Sequence, residues 1–135
     1  MRRPTVLFVD DEPHITDGVK RALRREPFDI VGAHSGSEAL ELLCRRAVDV
    51  IIVDEKMPGI SGTELLQRVF RDYPRVIQMM LTGHAAPETV FSTARPGQIR
   101  HFFTKPCSVE ELASAIREAL DQQHPGATPS ASIAR

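Results

Sequence analysis

Val48-Asp-Val-Ile-Ile-Val-Asp-Glu-Lys-Met-Pro-Gly59 runs from a short apolar stretch directly into a turn, with one carboxylate, Asp54, at the junction. Three other stretches end the same way. Thr5-Val-Leu-Phe-Val9 leads to Asp10 and Asp11, Val76-Ile-Gln-Met-Met-Leu81 leads to Thr82, and His101-Phe-Phe-Thr104 leads to Lys105 and Pro106. Each run has the length and composition of a buried strand. In an open parallel sheet the carboxyl ends of the strands converge on one crevice, where such folds bind ligands. Residues far apart in the chain then meet there. Three acids, a hydroxyl and a lysine in one crevice suit a divalent cation and a phosphoryl group.

Between these strands the apolar residues recur with helical period. The first helix is expected over 13–25, with Pro13 in its first turn and Ile15, Val19, Ala22 and Leu23 on the buried face. Pro27 ends it, and Phe28-Asp-Ile-Val-Gly-Ala33 reads as a second strand. Three later helices are announced by a serine followed three residues on by glutamate: Ser35/Glu38, Ser61/Glu64 and Ser108/Glu111. Each pair is a candidate capping box before an apolar-periodic run. Leu40 and Leu43, then Leu65, Leu66, Val69 and Phe70, then Leu112, Ile116, Ala119 and Leu120 form the expected core faces. A further helix over 87–94 begins with Pro87 and runs through poor helix formers, which makes it either a moving part beside the crevice or a segment held by packing. Five β-α repeats predict a three-layer α/β sandwich with a parallel sheet and five helices. From 124 to 135 no apolar face recurs, so this stretch is expected to be a flexible tail or linker after a domain spanning 1–123.

The 135 residues suffice for one domain with a substantial core. Lys and Arg (17) nearly balance Asp and Glu (18), so no whole-chain field draws in nucleic acid or an anionic membrane. No apolar run approaches the ~20 residues of a membrane span. The first apolar run, five residues long, is also too short for a signal-peptide core. Cys44 and Cys107 lack metal-like spacing and make no disulfide framework; Cys44 reads as a packing residue and Cys107 as a loop residue. A cytoplasmic protein is expected.

Val9-Asp-Asp-Glu-Pro13, Asp54-Glu-Lys-Met-Pro-Gly59, Leu81-Thr-Gly-His84 and Thr104-Lys-Pro106, in this order and each closing a predicted strand, resemble the receiver domain of response regulators, the phosphorylated half of two-component signalling. The resemblance covers about residues 5–122. It implies a flavodoxin-like sandwich with strand order 2-1-3-4-5. It also implies Asp54 as the phosphoacceptor, accepting a phosphoryl group from a phosphohistidine. Mg²⁺ would be held by Asp10, Asp11, Asp54 and the backbone carbonyl of Lys56. Thr82 would offer its hydroxyl to the phosphoryl group, Lys105 would pair with a phosphate oxygen, and Phe102 would be a mobile aromatic or plain core. The Lys105–Pro106 bond resembles one that is cis in this family. A sensor histidine kinase or phosphotransfer protein is the implied donor. A homodimer, if one forms, would use the fourth helix (87–94), the fifth strand and the last helix.

The chemistry fits these residue types. Two unit charges ~4 Å apart repel by ~4 kcal/mol at an effective dielectric of ~20, and a hard dication with oxygen ligands offsets that. A carboxylate is then a competent nucleophile, and phosphoryl transfer needs mainly positioning and charge stabilisation. His84 and Lys56 either sit over the site and influence phosphoryl loss or are simply solvated. Two other readings compete. Haloacid-dehalogenase-like phosphatases also use an aspartyl-phosphate, but they carry Asp-x-Asp after the first strand, where this chain has Asp10-Asp11. A receiver-like module kept only for binding would have no need of Asp54, Thr82 and Lys105 together. Residues 124–135 show no output motif, so the chain is expected either to act alone through protein contact or to be part of a longer protein. The wording around Asp54, Thr82 and Lys105 is similar to receivers attached to cyclic-di-GMP phosphodiesterase (HD-GYP) or sensor modules, by analogy alone.

Overall fold

The computed structural model describes residues 3–83 and 97–123. The elements in chain order are β1 (Thr5–Val9), α1 (Pro13–Ala22), β2 (Asp29–Ala33), α2 (Gly36–Arg45), β3 (Val50–Asp54), α3 (Gly62–Asp72), β4 (Ile77–Thr82), β5 (Ile99–Thr104) and α4 (Val109–Gln123). The five strands form one parallel sheet in the order β2-β1-β3-β4-β5, as expected. Four helices lie among the described residues; the helix expected over 87–94 and the tail expected over 124–135 fall outside them.

Alternation along the central strands divides the core in two. Val6, Phe8, Val50, Ile52, Met79, Leu81 and Phe103 face Leu23 and Phe28 beyond α1, and Leu112, Ile116 and Leu120 of α4. Leu7, Val9, Ile51, Val53 and Met80 face Ala39 and Leu43 of α2 and Leu65, Leu66 and Val69 of α3. A strand buried on both faces must be apolar at consecutive positions, which is why β1 and β3 read as unbroken runs. The polar residues at the far end of the sheet are satisfied. Asp49 accepts from the Thr5 N–H at 2.8 Å, and Gln78, 2 % exposed, donates to the Leu66 carbonyl at 3.1 Å.

All three predicted serine caps form. The hydroxyls of Ser35, Ser61 and Ser108 each accept from the N–H of the glutamate three residues on, at 3.1 Å. The return half of the box forms only at Ser108, whose N–H donates to Glu111 Oε1 at 3.2 Å. Glu38 instead accepts from the His34 N–H at 2.8 Å, and Glu64 turns toward Arg68 at 3.5 Å.

Two expectations are corrected. The first helix stops at Ala22, three residues short, because the chain turns at Leu23 to deliver Leu23 and Phe28 into the core; Ala22 is exposed. Cys44 is exposed rather than packed, with Sγ 3.5 Å from the Tyr73 hydroxyl, since the buried stripe of α2 passes through its neighbour Leu43.

Gly62 opens α3 where the helix meets the end of β3. A Cβ there would collide with the Asp54 carbonyl oxygen and lie 3.0 Å from both Glu55 Cα and Val53 Cγ1. Backbone cannot yield to it cheaply, so Gly62→Ala is expected to cost ~1–3 kcal/mol, as other overpacked sites do. Urea denaturation monitored by circular dichroism measures the loss.

Candidate functional site

The carboxyl ends of β1, β3, β4 and β5 bring the expected residues together. Asp10 continues the β1–β2 ladder through its N–H to the Ala33 carbonyl at 3.0 Å and is buried. Asp54 is the last residue of β3 and is also buried, whereas Asp11 is exposed. One carboxylate oxygen from each of Asp10, Asp11 and Asp54 lies within 4.8 Å of the others. These are hard anionic oxygen donors, the kind that Mg²⁺ takes alongside waters and phosphate.

Lys105 completes the cluster from the other side of β4. Its N–H donates to the Thr82 carbonyl at 2.8 Å, which carries the β4–β5 pairing past the strand ends, and the Lys105–Pro106 bond is cis. From that fixed root the ammonium reaches Asp54 Oδ1 at 2.9 Å. The Lys56 N–H donates to the same oxygen at 3.3 Å. Among the described residues, both hydrogen bonds to the Asp54 side chain fall on Oδ1.

The electrostatics follow from this crowding. Burial pushes the Asp10 carboxyl above its ordinary 3.8, helped by the charges of Asp54 and Asp11, against the Glu12 N–H at 3.0 Å and the Lys105 ammonium. Ionised Asp10 is thus held at a cost.

Thr82 is buried, and its hydroxyl donates to Glu55 Oε1 at 2.7 Å. Phe102 is half-buried and packs with the α2–α3 side of the core, while its neighbour Phe103 is buried on the other side. Lys56 is exposed, and His84 lies outside the described residues. Sequence reasoning passed over Glu55 and Gly62. Glu55 carried one signal, its place beside Asp54; Gly62 carried another, a glycine in a helical first turn where propensity disfavours it.

Comparison with known proteins agrees with the geometry. Residues 6–117 match the family model described as the response regulator receiver domain. The hydrogenase transcriptional regulatory protein HoxA of Cupriavidus necator is 32 % identical over 122 residues, covering 90 % of this chain and 25 % of its own. The response regulator protein PilR of Pseudomonas aeruginosa is 32 % identical over 127 residues, covering 94 % and 28 %. The chain thus spans about a quarter of the length of these two relatives. Among solved structures, the signal receiver domain of an HD domain-containing protein from Pseudomonas fluorescens superposes with a TM-score of 0.84 at 32 % identity, covering 91 % of this chain and 98 % of that one. The response regulator protein TrrA of Thermotoga maritima, in complex with Mg(2+)-BeF, superposes with a TM-score of 0.74 at 28 % identity, covering 86 % and 98 %.

This chain belongs to the response regulator receiver domain family of two-component signalling. Domains of this family are phosphoacceptor switches, phosphorylated by histidine kinases, that bind Mg²⁺ at an acidic pocket. Membership sets the chain in a family other than the haloacid-dehalogenase-like phosphatases. Among the described residues no helix is long and apolar enough to cross a membrane.

The raised carboxyl of Asp10 has a definite sign in stability. The folded chain holds that proton more tightly than the unfolded chain, so stability falls as the pH rises from 3.8 through the raised value, and the penalty is complete only above it. Asp10→Asn is therefore expected to raise the Tm of the metal-free protein at pH 7, with the gain shrinking as the pH falls towards 4. Thermal melts in EDTA across that range read it directly.

Proposed function

We propose that Asp54 is the phosphoacceptor, and that Asp10, Asp11, Asp54 and the Lys56 carbonyl hold the Mg²⁺ its reaction requires. The observation that carries this reading is the Lys105–Asp54 ion pair inside a cluster of three carboxylates. Lys105 and the Lys56 N–H tether Oδ1 and leave Oδ2 outside those bonds, so one oxygen orients the carboxylate and the other attacks. The attacking oxygen forms a bond to phosphorus as the phosphorus–nitrogen bond of a phosphohistidine breaks, its electron pair returning to the imidazole. Mg²⁺ held by Asp10, Asp11, Asp54 and the Lys56 carbonyl would supply positive charge against the carboxylate repulsion and the phosphoryl oxygens. Lys105 then pairs with a phosphoryl oxygen, a point charge beside developing negative charge.

The resulting acyl phosphate carries extra negative charge and new acceptor oxygens. Thr82 donates its hydroxyl to one of them, and Phe102 moves into the space this frees, so a local charge event biases a packed element. Hydrolysis of the acyl phosphate by water at the same site returns the switch. Residues 1–123 act as the receiver unit in the cytoplasm, with 124–135 as a tail or linker to whatever carries the output. The donor is a sensor histidine kinase or phosphotransfer protein. The contact of any homodimer is assigned to β5 and α4. Direct contact with nucleic acid or membrane is not part of this reading.

Incubation with acetyl phosphate and Mg²⁺ is expected to add one phosphoryl group by intact mass. The adduct disappears in EDTA and in Asp54→Asn. Lys105→Ala is expected to slow its appearance by ~10²-fold or more, the scale set by loss of one charge-stabilising donor. An unmodified wild-type chain would leave a binding module instead. Steady release of phosphate over many turnovers would favour an enzyme.

A further inference from the structure

The Thr82 hydroxyl has one proton to donate, and in this structure the proton goes to a group outside the acidic cluster. Glu55 Oε1 accepts it at 2.7 Å. The backbone that presents Glu55 is fixed on both sides. Its N–H donates to the Leu81 carbonyl at 2.9 Å, and its carbonyl accepts from the Gly62 N–H at 3.2 Å. Asp54 pairs with Leu81 in the β3–β4 register, so Glu55 falls next to Thr82. Thr82 is itself held by its carbonyl to the Lys105 N–H at 2.8 Å. Two rigid backbones thus face each other, and the hydroxyl can serve only one strong acceptor at a time.

We propose that Glu55 is a positioning residue for the switch: its carboxylate competes with phosphorylated Asp54 for the Thr82 hydroxyl and holds Thr82 in the unphosphorylated arrangement. Phosphorylation breaks this contact in two ways. It supplies competing anionic acceptors, and it places further negative charge one residue from the Glu55 carboxylate, which repels it. Glu55 thereby sets how strongly the phosphoryl group must pull before Thr82 changes partner. This rests on Asp54 being the phosphoacceptor.

Titration of the full chain with beryllofluoride in saturating Mg²⁺, followed by amide NMR shifts, tests it. Glu55→Ala is expected to bind the phosphoryl analogue ~10-fold more tightly than wild type, the scale of one charge-assisted hydrogen bond. Glu55→Gln, which keeps a neutral acceptor, should fall between them, and it carries the test if Glu55→Ala does not fold. In the Thr82→Val background the effect of either Glu55 change should shrink to the small part left by direct charge repulsion, because there is no hydroxyl to compete for. An equal gain with and without the hydroxyl would mean that Glu55 acts only as a nearby charge, and would overturn the proposal. Unchanged affinity in both Glu55 variants would overturn it too. Failure of the wild-type chain to bind the analogue at all would overturn the phosphoacceptor reading, and this one with it.

Discussion

Three carboxylates within 4.8 Å of one another, two of them buried, are the constraint around which the upper end of this sheet is organised. At such a separation a pair of like charges costs ~3–4 kcal/mol at an effective dielectric of ~20, and less where one partner, as Asp11 here, is exposed. A fold that is stable by only ~5–15 kcal/mol cannot carry this without compensation. Part of the compensation is built in: the Lys105 ammonium and the Lys56 N–H on Asp54, and the Glu12 N–H on Asp10. The remaining imbalance gives the crevice its affinity for positive charge, and it adds to the burial that chiefly pushes the Asp10 carboxyl up.

The rest of the architecture keeps these groups where they are. Strands buried on both faces fix the height at which Asp10, Asp54 and Thr82 emerge, because moving any strand by one residue would send its core residues to the wrong side of the sheet. Gly62 lets α3 close against the carbonyl of Asp54. The backbone bond from Lys105 to Thr82 ties β5 to β4 beyond their last paired residues, so that the lysine reaches Asp54 from a fixed root. Moving a two-state switch from 1:99 to 99:1 takes ~5.5 kcal/mol. One charge-assisted hydrogen bond supplies ~1.5–3 kcal/mol. In the proposed switch Thr82 trades one charge-assisted hydrogen bond, to Glu55, for another, so its exchange alone falls short of this, and the repartnering of Lys105 and the packing of Phe102 are proposed to carry the rest.

Much of this was legible in the sequence because it rests on local rules. Unbroken apolar runs ending in Asp10, Asp54, Thr82 and Lys105 marked the strands and the crevice, and the three serine–glutamate pairs marked helix starts to the residue. What was not legible depended on three-dimensional neighbours. Periodicity carried the first helix past Ala22 because Leu23 is apolar, yet the chain turns there to bury Leu23 and Phe28. The sequence could not say that Glu38 reaches back to His34 rather than to its serine, nor that Cys44 faces outward. Above all, nothing in the order of residues revealed that the Thr82 hydroxyl is held by Glu55, the residue next to Asp54.

The central claim is that, of three crowded carboxylates, the one tethered by Lys105 becomes phosphorylated. Borohydride reduction of the acetyl-phosphate-treated protein, followed by peptide mass mapping, tests it most directly, since reduction converts a phosphorylated aspartate to homoserine. The account predicts homoserine at position 54 and unaltered aspartates at 10 and 11. Homoserine at position 10 or 11, with residue 54 unaltered, would contradict it.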